Sequence, residues 1–285
     1  MTSAPQVSII IPTYKRQNLL SRAIRSALNQ TYKNIEILVC DDEKSAETKT
    51  IVASFADDRL RYLENARTKG ACGARNTGIY AALGEYCVFL DDDDEILPDA
   101  VESFLALNAS QYAFAYAWNN RIYENGKVRR SNNPPNINFE KLAKEGQNIA
   151  SAMIFVSKKN LTMIEGYDET LSACQDYDLC LRLAKRFGTA KLIEKTLFNY
   201  YSARGYNRIS NNVVKKYRGM RKVALKHTRN FSRQDRAKYL YKTRKYLYGE
   251  HLGRAFAWLS AKEALKELRH KIKRTIRRAL NLKIK

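Results

Sequence analysis

A run of acidic residues directly follows an apolar segment near the middle of the first half of the chain. Residues 86–90 are Tyr-Cys-Val-Phe-Leu, and residues 91–95 are four aspartates and a glutamate. Adjacent aspartates repel one another, so a cation should lie near them, and hard oxygen ligands of this kind suit Mg2+ or Mn2+. The alternative is an acidic helix N-terminus, where the helix dipole favours Asp and Glu. This run alone does not decide between the two.

The apolar segment before the acids has the length and composition of a buried strand in a parallel sheet. Two earlier segments have the same character: residues 7–11, which end at Pro12, and residues 35–40, which end at Asp41 and Asp42. Helices are predicted at 18–29, 45–55 and 70–83, and a further strand at 60–63. This alternation predicts an α/β fold of βαβ units, with a mainly parallel sheet and helices on both faces.

Polar residues follow three of the predicted strands. They are Thr-Tyr-Lys-Arg at 13–16, the pair Asp41 and Asp42, and the acidic run itself. If the strands are parallel, these residues meet at one rim, where open α/β sheets bind their ligands. An acid pair at this position suits hydrogen bonds to a base or a ribose. The rim is therefore predicted to bind a nucleotide diphosphate with a metal ion on its phosphates.

Five motifs carry a resemblance to a known family. They are VSIIIPTYKR at 7–16, ALNQTY at 27–32, ILVCDD at 37–42, GARNTG at 73–78 and GEYCVFLDDDDEILP at 84–98. In this order they resemble the family 2 glycosyltransferases, of bacterial surface-polysaccharide or lipooligosaccharide type, over about residues 6–210. The resemblance implies a Rossmann-like GT-A fold. The glycine-rich fingerprint of a dinucleotide site is absent, so an NAD enzyme is not predicted.

The resemblance also implies roles for individual side chains. Asp91 and Asp93 match the Asp-x-Asp motif that binds Mn2+ or Mg2+, and the arginine of the family's Gly-x-x-Arg-Asn stretch falls on Arg75. After its second strand the family usually has Asp-Asp-Gly-Ser, whereas this chain has Asp-Asp-Glu-Lys-Ser at 41–45. The implied donor-binding set is Pro12, Thr13, Tyr14, Arg16, Asp41, Asp42, Arg75, Asp91 and Asp92.

A second pair of acids begins a predicted helix in the second half of the chain. Leu179, Leu183 and Phe187 recur at helical spacing after Asp176 and Asp178. The pair could simply cap the helix. The stretch also resembles the family's Glu-Asp-x-Asp-Leu-x-Leu-Arg-Leu element, whose aspartate is the catalytic base of inverting members. That match falls on Asp176, and Asp178 is the less favoured candidate.

Inverting transfer is one in-line displacement, and its chemistry sets minimum requirements. The attacking hydroxyl needs a carboxylate to take its proton, and the leaving diphosphate needs its charge neutralised. The base and the metal motif named above supply both.

Arg204 or Arg208 could also contact the diphosphate. Trp118 and Tyr123 could stack on a sugar, although core packing is favoured for both. Strands are predicted at 112–118 and 121–123, and Asn125-Gly126 predicts a hairpin turn after them.

Positive charge is concentrated at the end of the chain. Residues 211–285 contain 24 Lys+Arg against 4 Asp+Glu, a net +20 of the total +22. We therefore predict a GT-A domain at 1–210 and a basic helical C-terminal region at 211–285. Its apolar residues recur at helical spacing among cations, which favours helices lying on an anionic bilayer. Packing on the body and binding to nucleic acid are the alternatives.

The remaining composition bears on the compartment. The five cysteines are widely spaced, the N-terminus lacks a signal-peptide pattern, and no apolar run approaches the roughly 20 residues that span a bilayer. A cytoplasmic protein associated peripherally with the inner face of the cell membrane is predicted.

The function predicted from these features is a metal-dependent, inverting transfer of a hexose or N-acetylhexosamine. A nucleotide-sugar is the donor, with a UDP-sugar favoured, and a hydroxyl of a glycan or lipid-linked glycan is the acceptor. The alternatives are a nucleic-acid-binding protein that uses the basic tail and a metal-dependent nucleotidyltransferase, which would consume a nucleoside triphosphate. No nucleic-acid partner is expected under the favoured prediction.

Overall fold

The computed structural model describes residues 4–107, 111–145, 154–202 and 213–227. The chain divides into two compact units, residues 1–230 and residues 231–285, and every described residue belongs to the first. The amphipathic helices predicted beyond residue 230 therefore lie outside the described residues, as do Arg204 and Arg208. The predicted boundary after residue 210 precedes the last described helix, Val213–His227, which is part of the first unit.

Strands and helices alternate through the first half, each within two residues of its predicted bounds. Every residue of the first two strands is buried, as their β-branched runs indicate. The elements are β1 (Val7–Thr13), α1 (Gln17–Leu28), β2 (Ile35–Asp41), α2 (Ala46–Ala53), β3 (Leu60–Glu64), α3 (Ala71–Ala81) and β4 (Tyr86–Phe89).

The second half is less regular. Residues 112–118 and 121–123, predicted as separate strands, contribute to one long strand, and the predicted turn at Asn125-Gly126 joins it to a short partner, with Gly126 at φ 77°. The elements are β5 (Glu95–Ile96), α4 (Ala100–Leu105), β6 (Ala115–Tyr123), β7 (Val128–Arg130), α5 (Phe139–Glu145), β8 (Ile154–Ser157), α6 (Lys158–Met163), α7 (Gln175–Phe187), β9 (Lys191–Ser202) and α8 (Val213–His227).

One sheet runs through both halves in the order β3-β2-β1-β4-β8-β6-β9-β5, with β7 paired to β6. Strands β3, β2, β1 and β4 are parallel, whereas β8 is antiparallel to β4 and to β6. Strand β9 is parallel to β6, whereas β5 is antiparallel to β9 and β7 to β6. The sheet is therefore mixed, with six of these nine strands running in one direction, so the prediction of a mainly parallel sheet is confirmed with three reversed strands in its second half. An apolar strand pattern carries no information on strand direction, so the reversal at β8 could not be predicted from it.

Close packing of α3 against the sheet positions the helix beside the rim. A Cβ atom on Gly78 would lie 2.5 Å from Cγ2 of Ile10 and 2.9 Å from Sγ of Cys40, so a larger residue would push the helix away from β1 and β2. A Cβ atom on Gly73, near the start of the same helix, would lie 1.8 Å from the carbonyl oxygen of Thr68. The two glycines thus determine where Arg75 stands.

Candidate active site

The ends of β1, β2 and β4 meet at one rim of the sheet. Thr13 pairs with Asp41 across β1 and β2, and Ile10 pairs with Phe89 across β1 and β4. The hydroxyl of Thr13 donates a hydrogen bond to Oδ2 of Asp92 at 2.8 Å. The structure therefore brings together the polar residues that the sequence placed after three separate strands.

Arg16 holds part of the acidic run in place. Its Nη1 atom lies 3.0 Å from Oδ1 of Asp92 and 3.1 Å from Oδ2 of Asp93. Burial raises the pKa of Asp92 to about 6; Arg16 opposes this shift, and the neighbouring charge of Asp93 adds to it. Asp92 is thus a buried carboxylate engaged by Thr13 and Arg16.

Three of the four aspartates have the geometry of a metal site. Carboxylate oxygens of Asp91, Asp93 and Asp94 all lie within 4.8 Å of one another. Asp94 is buried, and its Oδ1 atom accepts a hydrogen bond from the backbone N–H of Tyr201 at 3.0 Å. Three carboxylates without nitrogen or sulfur ligands suit Mg2+ or Mn2+. The residues present therefore fit the predicted cation, with Asp94 as a member that the sequence analysis missed.

Arg75 links the metal motif to the helix that begins with the second acid pair. Its Nη2 atom donates to Oδ1 of Asp91 at 2.6 Å, and its guanidinium lies 5.4 Å from the ring centre of Tyr167. Burial alone would lower the pKa of Arg75, but the charge of Asp91, followed by Tyr167 and Asp176, holds it above its usual value. This buried cation therefore bonds to the predicted metal motif and lies within electrostatic range of Asp176.

Asp41 and Asp42 differ in their surroundings. Asp41 is fully buried and accepts the backbone N–H groups of Glu43 and Ser45, at 2.9 and 2.7 Å. These bonds stabilise the turn after β2, in which Lys44 has φ 60° in a region that glycine favours. Thus the turn forms without the family's glycine.

Asp42 remains half-exposed at the rim. It accepts bonds from Nδ2 of Asn65 at 2.6 Å and from the N–H of Gly70 at 2.8 Å. Nearby, Pro12 is buried within β1, whereas the side chain of Tyr14 is 42% exposed and lies beside Lys69. Asp42 and Tyr14 are therefore the more accessible members of the predicted nucleotide-binding set.

The two candidate bases also stand in different environments. Asp176 is half-exposed in the first turn of α7, while Asp178 is fully buried. Asp178 lies 2.7 Å from Nε of Arg182, 2.7 Å from Nε2 of His227 and 3.0 Å from Nζ of Lys226. Burial raises the pKa of Asp178, but the bond from His227 and the charge of Arg182 together hold it well below its usual range. Asp178 is thus an ionised group enclosed by its partners.

Side chains of α1 and β9 also contact the acidic run, and no sequence motif predicted them. Nη2 of Arg22 donates to the carbonyl oxygen of Asp93 at 2.6 Å, and its guanidinium stacks 3.7 Å from the ring centre of Tyr201. The Tyr201 hydroxyl donates to Oε2 of Glu95 at 2.5 Å. These contacts join α1 and β9 to the acidic run, and nothing in local sequence spacing could reveal them.

Trp118 and Tyr123 are both half-buried, so the core packing favoured for them is not observed. The guanidinium of Arg130 lies 4.6 Å from the ring centre of Trp118, and that of Arg121 lies 5.3 Å from the ring centre of Tyr123. Both aromatic residues thus carry an arginine on one face.

The strand order, the acidic rim and the helix of Asp176 define an α/β protein of GT-A type. The sequence profile of "Glycosyl transferase family 2" matches residues 8–159. The chain belongs to this family and is a glycosyltransferase, which confirms the predicted family and enzyme class.

Relatives of known name agree with this assignment. The chain is 30% identical over 239 residues to the putative colanic acid biosynthesis glycosyl transferase WcaA of Escherichia coli K12, covering 82% of this chain and 85% of that protein. It is 39% identical over 139 residues to WfgD of Escherichia coli, named a UDP-Glc:alpha-D-GlcNAc-diphosphoundecaprenol beta-1,3-glucosyltransferase. That match covers 48% of this chain and 55% of WfgD.

Solved structures show the same fold. TarS of S. aureus, residues 1–349 in complex with UDP-GlcNAc, superposes with a TM-score of 0.70 at 15% identity, covering 89% of this chain and 75% of that one. A mannosyltransferase of Pyrobaculum calidifontis in complex with GDP-Man and Mn2+ superposes with a TM-score of 0.61 at 16% identity, covering 93% and 81%. These likenesses confirm the GT-A fold. Among the described residues, no helix is both long and apolar enough to span a bilayer.

Proposed function

We propose that this glycosyltransferase moves a hexose or N-acetylhexosamine from a UDP-sugar to a hydroxyl of a lipid-linked glycan, with inversion, during synthesis of a cell-surface polysaccharide. The names of the relatives support this choice, since WfgD is named for UDP-Glc and a diphosphoundecaprenol acceptor. A Campylobacter jejuni relative, 42% identical over 115 residues, is likewise named for a PP-undecaprenol acceptor; that match covers 39% of this chain and 37% of the relative.

One observation carries the proposal. Arg75 donates a hydrogen bond to Asp91 in the metal motif, and the charge of Asp176, in the first turn of α7, adds to the rise in the pKa of Arg75. The carboxylates that would hold the metal and the candidate base are therefore both near one buried guanidinium, which supports a displacement between them. A neighbouring cation also favours the ionised form of a carboxylate, which is the form a base needs.

The donor would lie along the rim. Asp91, Asp93 and Asp94 would hold Mn2+ or Mg2+, which when bound neutralises charge on the leaving diphosphate. The exposed ring of Tyr14 is placed to stack on the base, and Asp42 to accept a hydrogen bond from the base or the ribose. Pro12, Thr13, Arg16, Asp41 and Asp92 would shape this pocket through the contacts described above.

Asp176 would act on the acceptor. Its carboxylate takes the proton of the acceptor hydroxyl as that oxygen bonds to the anomeric carbon and the bond to the diphosphate breaks. General-base assistance of this kind contributes about 10²–10⁴-fold to the rate. The enclosure of Asp178 by Arg182, Lys226 and His227 supports the choice of Asp176.

The substitution Asp176→Asn tests the assignment of the base. We expect turnover to fall by at least about 10²-fold, whereas the affinity for the UDP-sugar, measured calorimetrically with Mn2+, stays unchanged. Asp58→Asn, a change of an exposed acid between α2 and β3, is the matched control and should leave both quantities unchanged. Full activity of the Asp176→Asn variant would reject the assignment.

We further propose that the basic region at 211–285 holds the enzyme on the inner face of the cell membrane. The net charge of +20 in this region supports the proposal, because each Lys or Arg near an anionic surface contributes about 1 kcal/mol. Sedimentation with vesicles that contain phosphatidylglycerol, at low and high salt, measures this association. Binding to nucleic acid with no vesicle binding would contradict it.

A further inference from the structure

The hairpin formed by β6 and β7 projects beyond the acidic rim. Strand β8 is antiparallel to both β4 and β6, so β6 runs in the same direction as β4. Val88 and Ala115 both pair with Phe155 and therefore stand at one level. Counting along both strands from that level places Trp118 level with Asp91. Glu95, the last acid of the run, is level with Asn120 because both pair with Asn199. Residues 121–123 therefore continue past the acidic run for about 10 Å at the usual rise per residue, with β9 beside them as far as Ser202.

The projecting hairpin is cationic on both faces. Arg121, Lys127, Arg129 and Arg130 are all exposed, and Glu124 is the single acid between residues 118 and 131. Within the part of the chain that the structure describes, none of these four cations forms an ion pair with a carboxylate. By contrast, Arg16, Arg59, Arg61, Arg67, Arg75 and Arg182 all do so.

Two of the hairpin cations oppose each other directly. Arg121 pairs with Arg129 across the antiparallel ladder, an arrangement of like charges that is destabilising. Arg130 pairs with Asn120 and so points to the other face, where its guanidinium covers Trp118. A single anionic group could contact only one face of the ribbon at a time. Because the ribbon carries positive charge on both faces, an extended anionic surface is the better match.

The tip of the hairpin adds apolar and aromatic side chains to this charge. Val128 lies between Lys127 and Arg129 and is 54% exposed. The guanidinium of Arg121 is flanked by the rings of Tyr123 and Tyr200, at 5.3 and 5.5 Å. Tyrosine, lysine and arginine around a small apolar tip is the composition found where proteins meet the interface of a bilayer.

We propose that the β6–β7 hairpin docks on an anionic lipid surface and sets the height of the active-site rim above it. The inference rests on the proposed lipid-linked acceptor, whose sugar would stand above the bilayer at the level of the rim. It assigns the docking role to a described part of the catalytic body, separate from the basic C-terminal region. In this arrangement the opposed charges of Arg121 and Arg129 are compensated by lipid headgroups.

A charge-matched comparison in the full-length chain tests the docking surface. The variant R121Q/R129Q/R130Q should bind vesicles of phosphatidylcholine and phosphatidylglycerol about a hundredfold more weakly than the unmodified protein. The control R25Q/K185Q/R186Q removes the same charge from exposed positions on α1 and α7, and it should weaken vesicle binding much less. Equal losses in the two variants would overturn the proposal. Removing the opposed pair should not lower the melting temperature, which excludes misfolding as the cause.

Depth of insertion gives an independent readout. In a chain whose two native tryptophans, Trp118 and Trp258, are replaced by phenylalanine, the fluorescence of Val128→Trp should be quenched by vesicles of brominated phospholipids. In the same background the fluorescence of Leu83→Trp, exposed in the connection that leads into the opposite end of β4, should not be quenched. Quenching at residue 83 without quenching at residue 128 would show that another face docks, and the proposal would be wrong.

Two further experiments distinguish docking on a lipid surface from binding of a diphosphate by the hairpin, and from failure of the proposed function. In detergent without a bilayer, and with a chelator present, binding of farnesyl diphosphate should be the same for the hairpin variant and the unmodified protein. A hundredfold loss there would assign the arginines to a diphosphate instead of a surface and overturn the proposal. If the unmodified enzyme transfers sugar to none of the acceptors, the proposed function is rejected. The vesicle-binding and quenching results would still test the docking of the hairpin.

Discussion

Four aspartates that are adjacent in sequence have different tasks in the structure. Asp92 is buried against Thr13 and Arg16, whereas Asp91, Asp93 and Asp94 converge their oxygens. The sequence predicted a cation at this run because its polar residues follow one of three strands whose ends should meet, and because Asp91 and Asp93 match the family's Asp-x-Asp motif. It could not assign Asp94, since the orientation of that side chain depends on the N–H of Tyr201, which lies 107 residues further along the chain.

Asp94→Asn tests the third ligand. We expect the affinity for Mn2+, measured by isothermal titration in the presence of UDP, to fall at least about tenfold, because Mn2+ prefers charged oxygen ligands. Asp58→Asn, which changes an exposed acid outside the acidic run, serves again as the control. An Asp94→Asn variant that binds Mn2+ as tightly as the unmodified protein would exclude Asp94 from the site.

At the scale of secondary structure, α8 belongs with the helix that carries Asp176. A Cβ atom on Gly219 would lie 2.5 Å from the carbonyl oxygen of Ala173, so α8 approaches the segment before α7 very closely. Lys226 and His227 then enclose Asp178, two residues after the candidate base. The sequence placed α8 in the basic region because its charge resembles that of the tail, and charge alone does not show which helix packs on the body.

His227→Phe tests this contact between helices. Asp178 would lose a partner while remaining buried, so we expect a loss of about 2 kcal/mol in the free energy of unfolding, measured with urea. The rate of transfer should also fall, because the first turn of α7 carries Asp176. Arg221→Gln changes an exposed cation of the same helix and should shift stability by no more than about 0.5 kcal/mol. A His227→Phe variant as stable as Arg221→Gln would show that Arg182 and Lys226 suffice.

The elements of the first half could be predicted closely because β1, β2 and β4 are short apolar runs with buried side chains, and because α1 has a clear apolar stripe. In the second half, Ala115–Tyr123 carries both buried and exposed residues, since its later part extends past the rim. Its pattern therefore changes along one strand, which made it look like two. Site residues that directly follow a strand could be predicted once the strand itself was predicted. Arg22 and Tyr201 could not be predicted in this way, because they reach the acidic run through tertiary contacts.

On the scale of the whole molecule, Glu169 ties the donor half to the segment that leads to Asp176. Its carboxylate accepts hydrogen bonds from Nδ2 of Asn76 at 2.7 Å and from the N–H of Thr68 at 3.2 Å, and it forms an ion pair with Arg67. Burial raises the pKa of Glu169, but the bonds from Asn76, Arg67 and Thr68 together lower it to about 2. One carboxylate thus links α3 and the loop before it to the far side of the site.

Stability should depend on this group in acid. The pKa of Glu169 is lower in the folded protein than in the unfolded chain, where it is about 4.3. Its contribution is therefore complete above about pH 4.5 and is lost as the pH falls towards 2. Urea unfolding from pH 7 to pH 3 should show Glu169→Gln less stable at pH 7, with the difference shrinking as the pH falls. A difference that stays constant with pH would show that Glu169 keeps its ordinary pKa.

The antiparallel pairing of β8 with β4 has a consequence for how such enzymes can diversify. Because β8 hydrogen-bonds directly to the strand that leads into the acidic run, the first and second halves of the described body share one continuous sheet. A recombination event that exchanged the second half would have to restore the register of that pair and the partners of Glu169 at the same time. Changes of acceptor should therefore accumulate as point substitutions in projecting segments, such as the hairpin after β6, and chimaeras joined between β4 and β8 should fail to fold.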